Sequence, residues 1–309
     1  MIRANGEGWA RLTLLVSLAA SQLTLLVRAD FAAFAIMASL SWLAGALLLL
    51  EWEEQGSSLP LSRLSRASLL AGLLLLLWSL LVLSRVGRLY DPLLHLLPLA
   101  ALAGLALLSG IPWRSAVLGK LMLIGSLLPA QVLINRFLPD GPIATVTARV
   151  SSLLLWALGR QAFADGHLIV LPERNMLVGS SCTGINTMAL CLAAAVVLVI
   201  LLPPPSRGPS HSRPSSWRAG LILAAAALVV SFMVNTVRIV LLAYTDVTPG
   251  LTGLAQWRSF DFWHDGLGSN LFSLLAMSLV CLVWVAVQEL ALRQARFLEV
   301  PGAAENRHP

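Results

Sequence analysis

Three short segments of this 309-residue chain carry the residue types that acyl transfer needs. Cys182 sits in residues 179–186 (GSSCTGIN), where a polar, small-residue stretch turns abruptly into the apolar run 188–202. That places the thiol at a helix N-terminus, where unpaired N–H groups and the helix dipole favour an anion and raise the thiolate fraction. The N–H groups of Thr183 and Gly184 could then face the oxyanion formed when a thiolate attacks a carbonyl. Arg238 lies in residues 235–240 (NTVRIV), inside an otherwise apolar run, so it must be paired, hydrated or snorkelling. Asn235, three residues earlier, shares its helical face; two polar groups on one face point to a cavity or a partner rather than to lipid. His264 lies in residues 260–269 (FDFWHDGLGS). It reads either as a member of an interfacial aromatic belt or as a general acid/base whose ring Asp265 or Asp261 would orient. Taken alone, Cys182 also reads as a buried structural thiol beside a Ser/Thr helix cap.

What must position these groups is a membrane protein. The chain is 58% hydrophobic and 12% charged, against about 25% charged residues in an ordinary soluble domain, which excludes a soluble enzyme. Its formal charge of +6 would hint at nucleic acid in a soluble protein; here it fits a positive-inside bias, and no nucleic-acid partner is expected. Three cysteines are too few and too scattered for a disulfide framework or a zinc site, and nothing points to a metal or an organic cofactor. The N-terminus lacks a small-residue cleavage site and reads as a first span rather than a removable signal.

Apolar runs long enough to cross a hydrocarbon core predict about eight spans, at 9–27, 31–50, 67–83, 92–109, 117–134, 182–202, 219–243 and 268–290. The fold class is therefore all-α, a polytopic helical bundle. It divides into five N-terminal spans (1–134), an outer-face segment (135–181), a three-span region (182–290) and a cytoplasmic tail (291–309). In the outer-face segment, residues 142–158 are apolar but carry Arg149 near their middle. This predicts an interfacial amphipathic helix rather than a ninth span. Residues 163–171 and 175–178, separated by Pro172, Glu173 and Arg174, predict a short hairpin leading to Cys182. The Pro/Ser/Arg-rich stretch 203–218 reads as a flexible cytoplasmic loop, and 301–309 as a disordered tail.

With the N-terminus in the cytoplasm, 12 of the 21 basic residues fall inside. On that topology Cys182 begins an inward span, Arg238 ends an outward one and His264 begins the next inward one, so all three meet at the outer membrane face. A thiol, an imidazole and a guanidinium on one face are nucleophile, proton shuttle and anion stabiliser. The other candidates carry less. Cys191 and Cys281 are surrounded by Ala, Leu and Val. His95 reads as a packed polar residue, His167 lies in the hairpin within possible approach of the site, and His211 and His308 sit in mobile segments. A transporter lined by Arg238, Asn235 and His95 would show inverted repeats and polar residues shared between halves, and neither is visible. A multi-span membrane transporter, a membrane acyltransferase and a non-catalytic scaffold remain the alternatives.

The ordered trio Cys182-Thr183-Gly184-Ile185, Asn235-Thr236-Val237-Arg238-Ile239 and His264 resembles the exosortase/archaeosortase family of membrane transpeptidases over about residues 135–290, while the first five spans match only in number and hydrophobicity. The resemblance implies a cysteine peptidase or transpeptidase of the bacterial cytoplasmic membrane. Its partners would be exported proteins bearing a C-terminal sorting signal: a short motif (Pro-Glu-Pro in the PEP-CTERM class), a membrane helix and a basic tail. It also implies Cys182 as nucleophile, Arg238 as stabiliser of substrate or oxyanion and His264 as acid/base, with Thr183, Gly184, Asn235 and Asp265 in support. The appended C-terminal soluble domain of some family members is not seen here.

Overall fold

The computed structural model describes residues 6–85, 92–203, 214–245, 247 and 253–298. The expected loop at 204–213, with His211, and the expected tail at 301–309, with His308, lie outside them. The described chain is overwhelmingly helical and forms two compact units, Met1–Pro139 and Asp140–Pro309.

The first unit contains α1 (Gly6–Arg28), α2 (Ala32–Glu54), α3 (Arg66–Ser84), α4 (Leu97–Leu108), α5 (Ala116–Gly125) and α6 (Leu127–Phe137). Small residues let these apolar helices approach closely. A Cβ on Gly72 would lie 3.0 Å from the Gly104 carbonyl oxygen, and one on Gly125 would lie 2.6 Å from the Leu99 Cα. Buried polar side chains are bonded both within and across helices. The Gln22 carboxamide donates to the Leu94 carbonyl and accepts from the Trp42 indole at 2.7 Å, and Arg11 joins Glu53 at 2.7 Å.

The second unit begins with α7 (Asp140–Ala157) and a sheet of β1 (Phe163–Asp165), β2 (Leu168–Val170) and β3 (Asn175–Leu177). It continues with a 3-10 turn at Ser180–Cys182, α8 (Ile185–Leu201), α9 (Pro214–Ala243), α10 (Phe260–His264) and α11 (Leu267–Leu298). Helices α8, α9 and α11 pack as a bundle around Cys191, Ala195, Leu223, Ala227, Val234, Ala276, Val280 and Trp284. The carbonyl of Leu202, at the end of α8, accepts from Trp284 Nε1 at 3.2 Å and from Gln288 Nε2 at 2.8 Å.

Several expectations are corrected. Among the described residues five helices are long and apolar enough to span a membrane, and six when α5 and α6 count as one span bent by 45°; the expected count of about eight is not confirmed. Two of the remaining expected spans are helical but short, at Pro92–Leu108 and Ile185–Leu201. The bend has a covalent cause, because Pro129 has no N–H to give the Gly125 carbonyl and its ring crowds that oxygen. The expected hairpin is a three-stranded antiparallel meander. Gly166, at φ 59°, turns residues 163–171 back on themselves so that Asp165 pairs with Leu168, and Ile169 pairs with Met176. The last residues of the expected 203–218 loop are the first turn of α9, with Pro214 at its start, where a missing N–H costs nothing.

Helix α7 buries Ala144, Thr147, Ala148, Ser151, Ser152 and Leu155 and packs against α9 and the sheet, leaving Arg149 on its exposed face. Arg160, just past α7, donates to the Ala243 carbonyl at 2.7 Å and to Glu173 at 3.0 Å. Its guanidinium holds the Glu173 carboxyl below the usual carboxylate range. That ion pair is therefore present at neutral pH and is lost as the pH falls through the lowered value.

The close approach at Gly125 predicts that Gly125→Ala lowers the thermal unfolding midpoint of the detergent-purified protein by several degrees. Gly119→Ala, on the same helix with nothing within 4 Å of the added Cβ, leaves the midpoint unchanged or slightly raised. Equal midpoints for the two variants would contradict this packing.

Candidate active site

Cys182, Arg238 and His264 come together at one end of the α8–α9–α11 bundle. The connectivity explains why: Cys182 directly precedes α8, Arg238 lies near the end of α9 and His264 directly precedes α11. The His264 imidazole lies close enough to the Cys182 thiol for the two to interact, and the Arg238 guanidinium lies close enough to Cys182 and Asp265 to feel the charge of each. Cys182 is 3% exposed and Arg238 4%, whereas the His264 side chain is 21% exposed. The imidazole is thus the part of the cluster that solvent reaches.

His264 is held on several sides. Its Nδ1 lies 2.6 Å from Asp265 Oδ2, which leaves Nε2 as the nitrogen free to exchange a proton with a sulfur. The Ser181 hydroxyl is 3.5 Å from Nε2. Phe260, one helical turn before His264, stacks on it at 4.9 Å with planes 20° apart. The Arg174 guanidinium lies 5.7 Å from the Phe260 ring and donates to the Leu242 carbonyl at 2.6 Å. Of the two carboxylates considered from sequence, Asp265 orients the ring; Asp261 contributes its backbone carbonyl, which accepts from the N–H groups of Asp265 and Gly266.

Arg238 does not snorkel. Its Nε donates to the Trp263 carbonyl at 3.1 Å, Nη1 to Asn235 Oδ1 at 3.3 Å, and Nη2 to the carbonyls of Ser181 at 3.3 Å and His264 at 2.8 Å. Asn235, 1% exposed, continues the link by donating from Nδ2 to the Cys182 carbonyl at 2.9 Å. The shared face of Asn235 and Arg238 meets a protein partner, the second of the alternatives that their spacing allows.

The surroundings of the thiol differ from a simple helix start. Cys182 ends a 3-10 turn, and α8 begins only at Ile185, after Gly184 at φ 80°. The N–H groups of Cys182 and Thr183 both donate to the Gly179 carbonyl, at 2.9 and 3.1 Å, so the Thr183 amide is turned away from the role expected of it. The fully buried Thr183 accepts from the Ile185 N–H through its hydroxyl at 3.5 Å. Glycine is required at 184 for two reasons: the backbone is left-handed, and a Cβ would fall 2.7 Å from Asn235 Cγ. Thr187 and Ser273 hydroxyls, 3.0 Å apart, join α8 to α11 one turn below.

Other candidates lie apart from this cluster. Cys191 is fully buried within α8 and Cys281 half-buried in α11. His95 is buried in the first unit with its ring 4.8 Å from Phe34. His167 is exposed in the β1–β2 turn. Sequence reasoning missed Ser181, Phe260, Trp263 and Arg174 as parts of the site. Phe260 carried a usable signal, being an aromatic residue at i−4 from the histidine; Arg174 carried none, because its contacts to Leu242 and Phe260 cross more than sixty residues.

The chain matches the family model of the transmembrane exosortases (Exosortase_EpsH) over residues 32–282, and it belongs to that family. No curated protein and no solved structure matches it. Membership makes it a multi-pass membrane protein of the transpeptidase type, whose substrates are in general exported proteins with a sorting signal.

The geometry at Gly184 predicts that Gly184→Ala destabilises the protein by about 1–2 kcal/mol from the left-handed backbone alone, with a further cost from displacing Asn235. Gly179→Ala, at φ −81° with nothing within 4 Å of the added Cβ, is tolerated. Thermal unfolding of the two variants side by side checks the difference, and a harmless Gly184→Ala would contradict it.

Proposed function

We propose that the chain is a membrane-embedded cysteine peptidase or transpeptidase that removes the C-terminal sorting signal of exported proteins through a thioester, with Cys182 as nucleophile and His264 as acid/base. The observation that carries this reading is the placement of His264 beside the Cys182 turn, with Nε2 3.5 Å from the Ser181 hydroxyl and Asp265 2.6 Å from the far ring nitrogen. That is the arrangement of nucleophile, base and orienting carboxylate used in acyl transfer. Family membership supports it independently.

With Nδ1–H donating to Asp265, His264 Nε2 takes the thiol proton. The sulfur attacks the scissile carbonyl carbon, and the positive charge of Arg238 beside the thiol favours the anion that develops. As the C–N bond breaks, His264 returns its proton to the leaving amine, and the acyl group remains on Cys182 as a thioester. A water, or an amine or hydroxyl of an acceptor, then gives its proton to His264, attacks the same carbon and releases the Cys182 thiolate.

The substrate has a short recognition motif of the PEP-CTERM kind, a membrane helix and a basic tail. Its helix lies beside the α8–α9–α11 bundle and presents the motif at the outer face of a bacterial cytoplasmic membrane, with both termini of the enzyme in the cytoplasm. Anchoring the substrate in the same bilayer supplies the positioning that a solution enzyme must obtain from binding contacts. The α7–sheet segment rests at the outer interface, with Arg149 on its exposed face.

Cys182→Ala is expected to abolish processing of a co-expressed tagged substrate, while Cys191→Ala and Cys281→Ala retain it. Mass spectrometry of the substrate C-terminus reads the result and distinguishes hydrolysis from transfer by the mass of the new end. Full processing by Cys182→Ala would sink the mechanism.

A further inference from the structure

The Arg238 guanidinium has five N–H groups in a fixed plane, and four are directed at acceptors of the protein itself. Two of those acceptors are the backbone on either side of the proposed reaction. The Ser181 carbonyl immediately precedes the thiol-bearing residue, and the carbonyl that lies closest, at 2.8 Å, belongs to His264. A third, the Trp263 carbonyl, precedes the histidine. The fourth, Asn235 Oδ1, leads through the same carboxamide to the Cys182 carbonyl. One side chain of α9 therefore holds residues 181–182 and 263–264 together, although those segments are about eighty residues apart in the chain.

An oxyanion donor would need N–H groups directed at the reacting carbon and unoccupied until charge develops. Arg238 has its Nε–H and both Nη2–H groups on backbone carbonyls, at 4% exposure. Turning them toward a substrate would strip buried carbonyls of their partners, at a cost of about 1–3 kcal/mol for each group left unpaired. We infer that Arg238 is a positioning residue: its planar fork clamps the Cys182 turn to the His264 turn and sets the thiol–imidazole distance. The hydrogen bond to the oxyanion falls to other groups. The charge of the guanidinium still reaches the thiol, but charge alone does not perform the function. This rests on the reading that Cys182 and His264 are the reacting pair.

A lysine tests the distinction, since it keeps the charge and lacks the planar fork. The purified full-length protein in detergent is treated with iodoacetamide from about pH 5 to 10, and modification is read at each cysteine by peptide mass spectrometry. In the wild type, Cys182 reacts at neutral pH, and His264→Ala slows that reaction. The clamp predicts that Arg238→Lys does the same, lowering the Cys182 rate at neutral pH about tenfold or more to the His264→Ala level. Cys191, fully buried in α8, stays unmodified in both, showing that the fold is intact. An Arg238→Lys protein with the wild-type alkylation profile and lost processing would overturn the clamp and assign the guanidinium to the oxyanion. Should Arg238→Lys expose Cys191, the same profile is taken on Asn235→Ala, which removes one leg of the clamp: a partial loss supports it and a wild-type profile overturns it. Coincident wild-type and His264→Ala profiles would instead overturn the pairing of Cys182 with His264.

Discussion

A guanidinium that is 4% exposed near the end of a membrane helix is the constraint around which the second unit is arranged. A charge removed from water is destabilising by several kcal/mol unless its hydrogen bonds are supplied, and α9 cannot supply them from its own backbone, whose carbonyls are already used. The acceptors must come from segments with irregular backbone. The 3-10 turn before α8 and the short α10 before α11 provide them, through Ser181, Trp263 and His264. Irregular backbone in a membrane protein is tolerated where protein surrounds it, and here the two irregular stretches are joined through one side chain.

The same constraint accounts for residues with no chemistry of their own. Asn235 faces Arg238 with its oxygen and the Cys182 carbonyl with its nitrogen, so it can be neither apolar nor shorter. Gly184 has no side chain because the Asn235 carboxamide occupies that space. Ring contacts then fix the imidazole: Phe260 covers its face, and Arg174 ties that phenyl to the end of α9. On the proposed reading, a Cys182–His264 pair set this way is preorganised by packing, which lowers the reorganisation needed when charge develops.

How much was legible in the chain follows from the range of each interaction. The apolar runs, the Cys182, Arg238 and His264 segments and their shared end of the bundle are local or near-local properties, readable from composition and from the alternation of span directions. Asp265 as orienting carboxylate was one of two candidates, and its adjacency to His264 decided the outcome. The third strand was hidden because residues 163–171 look like one strand until Gly166 is recognised as a turn. The broken α5–α6 segment was hidden behind its hydropathy, which is indifferent to the proline that bends it.

From the chain alone it follows that this is a helical membrane protein with a thiol, a histidine and an arginine carried to one end of its last three apolar runs, because hydrophobicity and span order are properties of the sequence. Only the tertiary structure decided what each group does there. Whether the Thr183 amide is available or turned back on Gly179, and whether Arg238 faces lipid, a cavity or four protein acceptors, depends on hydrogen bonds closed between residues as many as fifty-seven positions apart. Such partners leave no periodicity in the sequence, and they appear only when a buried polar group has to be satisfied in a folded protein.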